Sequence, residues 1–369
     1  MNEPIKTETN AVEAETAKTP KKKKWPWVLL IILAVLLTPV IVVFAILYGR
    51  LASVASVKHI DHDLYQITVK QDYHLDKLLE ANISTYEEFD QFIADNMFFG
   101  LSASETGEIN FGCSSFLAKT PDGDYIAGRN YDFANTGELV LYTHPSDGYA
   151  SIGMTELRLM GISDKTGITP DSFLGKASML VAPYFTTDGV NEKGVTASLL
   201  QLDPGVTDPQ TEKPDIVYGL TVRLILDRAD SVEHALELLK QYDVHDPGPY
   251  QHHLFIADSS GNAVVVEWKN NEMTVVRNQP TVTNFWLCKF DKDSYSRQCD
   301  RFCKIEEWLD SHASTTPEQA MDLLKAVSQN CGGYPTQWSS VYDLNHFAMD
   351  IAIDRHYDKV YRLTAENFK

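Results

Sequence analysis

Basic charge and cysteine are both scarce in this 369-residue sequence. Lys and Arg number 32 against 51 Asp and Glu, a formal net charge of −19. Such an excess of acid argues against nucleic-acid binding, because counterion release needs clustered cations to neutralise phosphates. Cysteine occurs five times, as Cys113, Cys288, Cys299, Cys303 and Cys331. An odd count in an exported chain leaves at least one thiol unpaired or shared between chains. Cys299 and Cys303 are spaced for one helix face, but two thiolates without nearby partners make a poor zinc site, and they read as small apolar residues. No internal repeat is visible.

The little basic charge there is gathers at the start. Residues 1–24 hold Lys6, Lys18, Lys21, Lys22, Lys23 and Lys24 against Glu3, Glu13 and Glu15. This leader is polar and reads as a disordered cytoplasmic tail. From Trp25 to Gly49 no residue is charged. About 20 apolar residues cross the roughly 30 Å of a bilayer core, so 25–49 reads as a membrane anchor. Trp25, Trp27 and Tyr48 stand at its ends, where amphipathic rings prefer the headgroup region, and Pro39 is tolerable in a membrane helix. Small residues at Ser53-Val54-Ala55 admit a cleaved signal peptide, but the apolar run exceeds the usual 7–15 or so residues. Lys21–Lys24 before the run, against Arg50 and Lys58 after it, place the N-terminus in the cytoplasm. The expected topology is a single-pass protein of the cell membrane with an acidic extracytoplasmic body.

In the body, Val57–Val69 alternates as a strand. Ser84 with Glu87 forms a capping box that opens a helix to about Met97. Ser102–Asn110 is small and polar, a loop. Strand-like runs follow at Cys113–Lys119, Tyr125–Tyr131, Val195–Leu202, His253–Ala257, Ala263–Trp268 and Met273–Val276. Three more come late, around Gln337–Leu344, Ala348–Ile353 and Lys359–Leu363. Helices are expected at Tyr218–Arg228, at Val232–Tyr242 capped by Asp230, and near Asp300–Asp310. Another is expected at Pro317–Val327, where Thr316, Pro317 and Gln319 make a capping box. Without a regular βαβ repeat, this pattern predicts antiparallel sheets covered by helices, an α+β layered domain.

Two strands carry the chemistry. Phe111-Gly112-Cys113-Ser114-Ser115-Phe116 precedes Gly128-Arg129-Asn130-Tyr131-Asp132, with the turn signal Pro121-Asp122-Gly123-Asp124 between them. A turn centred on Asp122-Gly123 sets Cys113 opposite Asp132 and Arg129 opposite Phe116. Thiol, carboxylate and guanidinium then share one hairpin, and the Arg favours the reactive thiolate. Strict alternation sends Arg129 and Asp132 to opposite faces, so a bulge or strand end must re-aim one of them.

This hairpin resembles that of the choloylglycine hydrolase family of linear amide C–N hydrolases, within the N-terminal-nucleophile superfamily. Cys113, Arg129 and Asp132 match its nucleophile hairpin. Asp188-Gly189-Val190-Asn191-Glu192-Lys193-Gly194 matches its Asp-Gly-x-Asn-Glu-Lys-Gly segment, and Thr283-Asn284 its Thr-Asn pair. Asp300-Arg301-Phe302 matches its late Arg, and Thr336-Gln337-Trp338-Ser339-Ser340-Val341-Tyr342-Asp343 its C-terminal strand. The resemblance covers Cys113–Lys369, and more loosely Val57–Gly112. Where bile salt hydrolases carry an Asn after the Asn-Glu-Lys-Gly strand, this chain has Gln201. The resemblance implies a four-layer αββα sandwich, which here follows the one transmembrane helix, with residues 50–112 a propeptide or retained chain and 113–369 the catalytic domain.

It also implies a mechanism. The Cys113 thiolate attacks an amide carbonyl, with its own freed α-amine as base. Asp132 orients that amine, Arg129 polarises the thiol, Asn284 and Gln201 face the oxyanion, and Arg301 supports the assembly. No metal or cofactor is required; the partners are a small N-acyl amide and the membrane, with a homo-oligomer implied by related enzymes. A free amine demands self-cleavage of Gly112–Cys113, where Gly112 leaves the carbonyl sterically open. An acyltransferase similar to isopenicillin-N acyltransferase is the alternative within the superfamily, and a non-catalytic anchored envelope protein the alternative outside it. A papain-like pairing of Cys113 with His252, His253 or His346 lacks sequence context, and His59-Ile60-Asp61-His62-Asp63 reads as a solvated strand end rather than metal ligands.

Overall fold

The structure is a computed structural model that describes residues 25–97, 112–134, 137–330 and 333–369. The basic tail, the Ser102–Asn110 loop and Cys331 lie outside the described residues. The chain divides into two compact units, Met1–Leu47 and Tyr48–Lys369.

Helix α1 spans Trp25–Ser56, and Trp27–Ser56 is long and apolar enough to cross a membrane. Beside Pro39, which offers no N–H, the Thr38 hydroxyl donates to the Ala34 carbonyl at 2.8 Å. The helix does not stop at Gly49 as charge alone suggests. Arg50 is buried and donates to the carbonyls of Met97 at 3.0 Å and Asn96 at 2.7 Å. These carbonyls end helix Tyr86–Met97, where a guanidinium answers orphan acceptors and the helix dipole together.

Two sheets make up the body. The larger has nine strands, in spatial order Lys58–Asp61, Leu64–Val69, Glu138–Thr143, Ser151–Glu156, Asp188–Asn191, Val195–Pro204, Tyr250–Asp258, Ala263–Lys269 and Glu272–Arg277. The smaller has six, in the order Thr281–Val282, Gly112–Lys119, Tyr125–Asp132, Thr336–Asp343, Ala348–Ile353 and Tyr361–Thr364. Neighbours run antiparallel except Leu64–Val69 beside Glu138–Thr143. A two-stranded parallel pair, Asp215–Val217 with Asp243–His245, stands apart.

The sheets face each other across one apolar core. Trp338 stacks on Tyr131 within it, ring centroids 3.9 Å apart and planes 6° from parallel. On the outer face of the six-stranded sheet, Phe116, Ile126 and Val341 pack with Ile305, Met321 and Leu324 of helices Asp300–Ser311 and Pro317–Ala326. Helices Leu220–Arg228 and Val232–Leu239 contact strands of the nine-stranded sheet. Each fully buried Leu, Ile, Val or Phe in such layers contributes about 1.5–3 kcal/mol.

Local chemistry moved several boundaries. Val57–Val69 is a hairpin rather than one strand, turned at His62 with φ 44°. The capping box sits one residue later than expected: Glu88 N donates to Thr85 Oγ1 at 3.2 Å and Glu88 Oε2 accepts from Thr85 N at 3.2 Å. Ser231, not Asp230, caps the helix that follows, whereas Thr316, Pro317 and Gln319 form their box as expected. Cys299 is the residue preceding helix Asp300–Ser311, and its carbonyl accepts from Cys303 N at 3.0 Å. Cys113, Cys288, Cys299 and Cys303 are free thiols.

Residues 48–97 are built into the body rather than set apart from it. Every residue of Leu64–Val69 is buried in the sheet interior. Leu75, Leu78, Phe89, Phe92, Ile93 and Met97 join the main core.

Candidate active site

The hairpin forms with a register one residue from that expected. Gly112 pairs with Asp132, Cys113 with Tyr131 and Ser115 with Arg129. The turn takes five residues, 120–124, not four: Thr120 N donates to Asp124 O at 2.8 Å and Gly123 N to Thr120 O at 3.0 Å. Gly123 has φ 96°, a conformation that favours glycine. Gly128 has its own reason, since a Cβ there would overlap the Phe116 ring.

The shift settles which groups share a face. Cys113 and Arg129 sit with Tyr131 between the sheets, while Asp132 falls on the side of the helices. No bulge re-aims Arg129 or Asp132 within the hairpin; the irregularity lies in the neighbouring strand, where Thr336 pairs with Asp132 and Trp338 with Tyr131. Thr336 Oγ1 thereby donates to Asp132 Oδ1 at 2.5 Å.

Cys113 is wholly buried. Burial pushes its thiol up to about 11, outweighing the pull of Arg129 and Arg301. The expected pull of Arg129 toward the thiolate is present, but burial outweighs it. Arg129 is also buried. It donates from Nη2 to the Leu199 carbonyl at 2.6 Å, and its Nε lies 3.8 Å from Asp188 Oδ1. Asp188 accepts from Thr187 Oγ1 at 2.9 Å and from Tyr342 Oη at 2.5 Å.

Arg301 ties three groups together. It donates from Nη1 to the Cys113 carbonyl at 3.0 Å and to Asp132 Oδ2 at 2.8 Å, and from Nη2 to Asn284 Oδ1 at 2.9 Å. The same Asn284 oxygen accepts the Cys113 N–H at 2.5 Å, and Asn284 Nδ2 donates to the Gln201 carbonyl at 2.8 Å. Asn284 thus turns its acceptor to the Gly112–Cys113 amide. Its donor, expected to face an oxyanion, is engaged by Gln201, which contributes its main chain here.

The structure therefore brings together Cys113, Arg129, Asp132, Asn284 and Arg301, with Gln201 at the rim through its carbonyl. Reading the sequence missed three supporting residues. Asp188 and Thr336 lie in motifs that were noted, but as strand markers rather than as partners of Arg129 and Asp132. Gln329, whose Nε2 donates to Asp132 Oδ2 at 2.6 Å, carries no sequence signal, because it follows a helix in no recognisable pattern. The papain-like alternative finds no support: His252, His253 and His346 turn their Nδ1 atoms to Asp246, Glu267 and Asp343. Among the described residues no group of three or more His, Cys, Asp or Glu could hold a metal ion. In His59–Asp63, Asp61 instead bonds Lys359 and Tyr361.

Chemically, an acceptor on the Cys113 nitrogen and a cation on its carbonyl fix the backbone around one thiol. Such a site suits acyl transfer through sulfur.

Known proteins bear on this geometry. Residues 113–288 match the family described as linear amide C–N hydrolases, choloylglycine hydrolase family. A penicillin V acylase from Pectobacterium atrosepticum is 28% identical over 191 residues, 48% of this chain and 50% of that protein. The chain thus spans about half the length of that curated relative. Two crystal structures of variants of the conjugated bile acid hydrolase from Clostridium perfringens share the fold, each with a TM-score of 0.53. They are 16% and 15% identical, and each match covers 69% of this chain and 92% or 93% of theirs. Residues 113–288, which hold Cys113, Arg129, Asp132, Asp188, Gln201 and Asn284, are thus the part of the chain that matches the choloylglycine hydrolase family of linear amide C–N hydrolases.

Proposed function

We propose that the protein is a membrane-anchored, extracytoplasmic amidase that hydrolyses linear amide C–N bonds of N-acyl compounds, with Cys113 as nucleophile after self-cleavage at Gly112–Cys113. The observation that carries this reading is the double hold on Cys113: Asn284 Oδ1 on its N–H and Arg301 Nη1 on its carbonyl.

In the cleavage step the Cys113 sulfur adds to the Gly112 carbonyl carbon and the thiol proton passes to the Cys113 nitrogen. The C–N bond breaks, leaving a thioester and a free α-amine. Water then hydrolyses the thioester to a Gly112 carboxylate and the Cys113 thiol. In turnover the amine takes the thiol proton as sulfur attacks the substrate carbonyl, then gives it to the departing amine, and water releases the acyl group. Asn284 Oδ1, already an acceptor for this nitrogen, would orient the amine, with Asp132 and Arg301 fixing its surroundings. Arg129 would stabilise sulfur as it gains charge.

The N-terminal part would stay bound after cleavage. What supports retention is strand Leu64–Val69, hydrogen-bonded between two neighbours in the nine-stranded sheet. Helix α1 would then hold the enzyme at the membrane, with Lys21–Lys24 on the cytoplasmic side.

A test is turnover of penicillin V, glycine-conjugated bile acids and a series of N-acyl amino acids by purified protein beside Cys113→Ala. The expected result is release of amine from at least one class by the former alone. Equal release by both would overturn the assignment of Cys113.

A further inference from the structure

We propose that Gln329 is a positioning residue for self-cleavage, which braces Asp132 and, by filling the space beside Gly112, restricts the acyl side of the junction to glycine. This rests on Gly112–Cys113 being the bond that is cut.

Gln329 is anchored before its side chain does anything. Its N–H donates to Thr336 Oγ1 at 2.8 Å, and its carbonyl accepts from Thr336 N at 2.9 Å. From that fixed backbone, Nε2 reaches Asp132 Oδ2 at 2.6 Å. Thr336 Oγ1 takes the other carboxylate oxygen, so Gln329 and Thr336 grip Asp132 as one unit, opposite the guanidinium of Arg301.

Gly112 lies directly across the hairpin from Asp132. A Cβ on residue 112 would overlap Gln329 Nε2, and would lie 3.2 Å from Asp132 Oδ2 and 3.3 Å from Asp132 Cβ. Gly112 is not among the glycines with positive φ, so space rather than backbone conformation is what requires it. The far end of a glutamine is mobile in principle. Here it can retreat only by giving up the carboxylate, which makes a methyl at 112 and a lost donor on Asp132 one event. The bond cut in self-cleavage is thus read on its acyl side by the group that orients the carboxylate beside it.

Four full-length chains test this: the parent, Gly112→Ala, Gln329→Ser, and both together. Each is synthesised in a cell-free system with membranes, and the appearance of the chain beginning at Cys113 is followed over time by intact mass. Gly112→Ala is expected to slow cleavage about 10–100-fold, the effect of losing one charge-assisted hydrogen bond. The double variant should be no slower than either single, because both changes remove the same donor from Asp132. Gln329→Ser alone should slow cleavage by a similar factor, since Asp132 loses the same donor. A merely structural glutamine would give additive losses in the double variant. Cleavage of Gly112→Ala at the parent rate, or a double variant worse than either single, would overturn the proposal.

An uncleaved parent would instead overturn the junction itself, and this inference with it. The contact is also read independently of cleavage, in the Cys113→Ala background. There Gly112→Ala should lower the melting temperature when Gln329 is present and barely change it beside Gln329→Ser. Equal shifts in the two backgrounds would refute the contact.

Discussion

Arg129 and Asp188 lie 3.8 Å apart with both side chains wholly buried, one from each sheet. The pair joins the Gly112–Asp132 hairpin to the nine-stranded sheet, and Tyr342 donates to the same carboxylate. Replacing Asp188 with Asn would keep the shape but leave the guanidinium without its countercharge. Breaking a buried pair from one side costs about 3–5 kcal/mol. Denaturant unfolding of Asp188→Asn should show a loss of that order, and Tyr342→Phe a smaller one.

Arg301 is different because its side chain is 18% exposed. Its importance lies in geometry, since one planar fork reaches Cys113, Asp132 and Asn284. Lysine keeps the charge but cannot span three acceptors. Arg301→Lys is expected to melt within a few degrees of the parent yet lose about 10²-fold in amide turnover. A variant that unfolds as readily as it loses activity would assign Arg301 to stability instead.

A pH effect follows from Glu138 and Glu156, which face each other on adjacent strands and are both buried. Burial pushes Glu156 up to about 7 against the pull of Arg158. Between its unfolded value of about 4.3 and that folded value, the folded chain holds a proton that the unfolded chain has released. Stability therefore falls as pH rises through this window. Glu156→Gln, neutral throughout, should melt several degrees above the parent at pH 8 and gain nothing near pH 4. The stabilisation at pH 8 is on the order of 3 kcal/mol at most.

Retention of the N-terminal part makes a separate prediction. Once Gly112–Cys113 is cut, residues 1–112 and 113–369 should co-purify without a disulfide and separate only on denaturation. Placing Lys at Ile67, which is fully buried in the shared strand, should release the enzyme from membranes. Release of the uninterrupted parent on cleavage would contradict retention.

Much of the fold was legible because strand alternation and helix caps are local signals. Val195–Pro204, Tyr250–Asp258 and Pro317–Ala326 appear where periodicity and capping place them. Glu138–Thr143 and Ser151–Glu156 were not expected as strands, since burial on both faces erases the alternation that marks a strand. The residues of the site were legible as a set, but their contacts were not. A one-residue change in turn length reversed the face of Asp132 relative to Cys113, and no local pattern reports that. Gln329 was invisible for a similar reason, because its meaning depends on Gly112, which only folding brings near.

Intact mass of the full-length protein, purified from membranes beside Cys113→Ala, is the most direct test of the central claim. The account predicts two chains from the parent, one beginning at Cys113, and a single chain of 369 residues from the variant. An uncut parent that hydrolyses an N-acyl amide would contradict it.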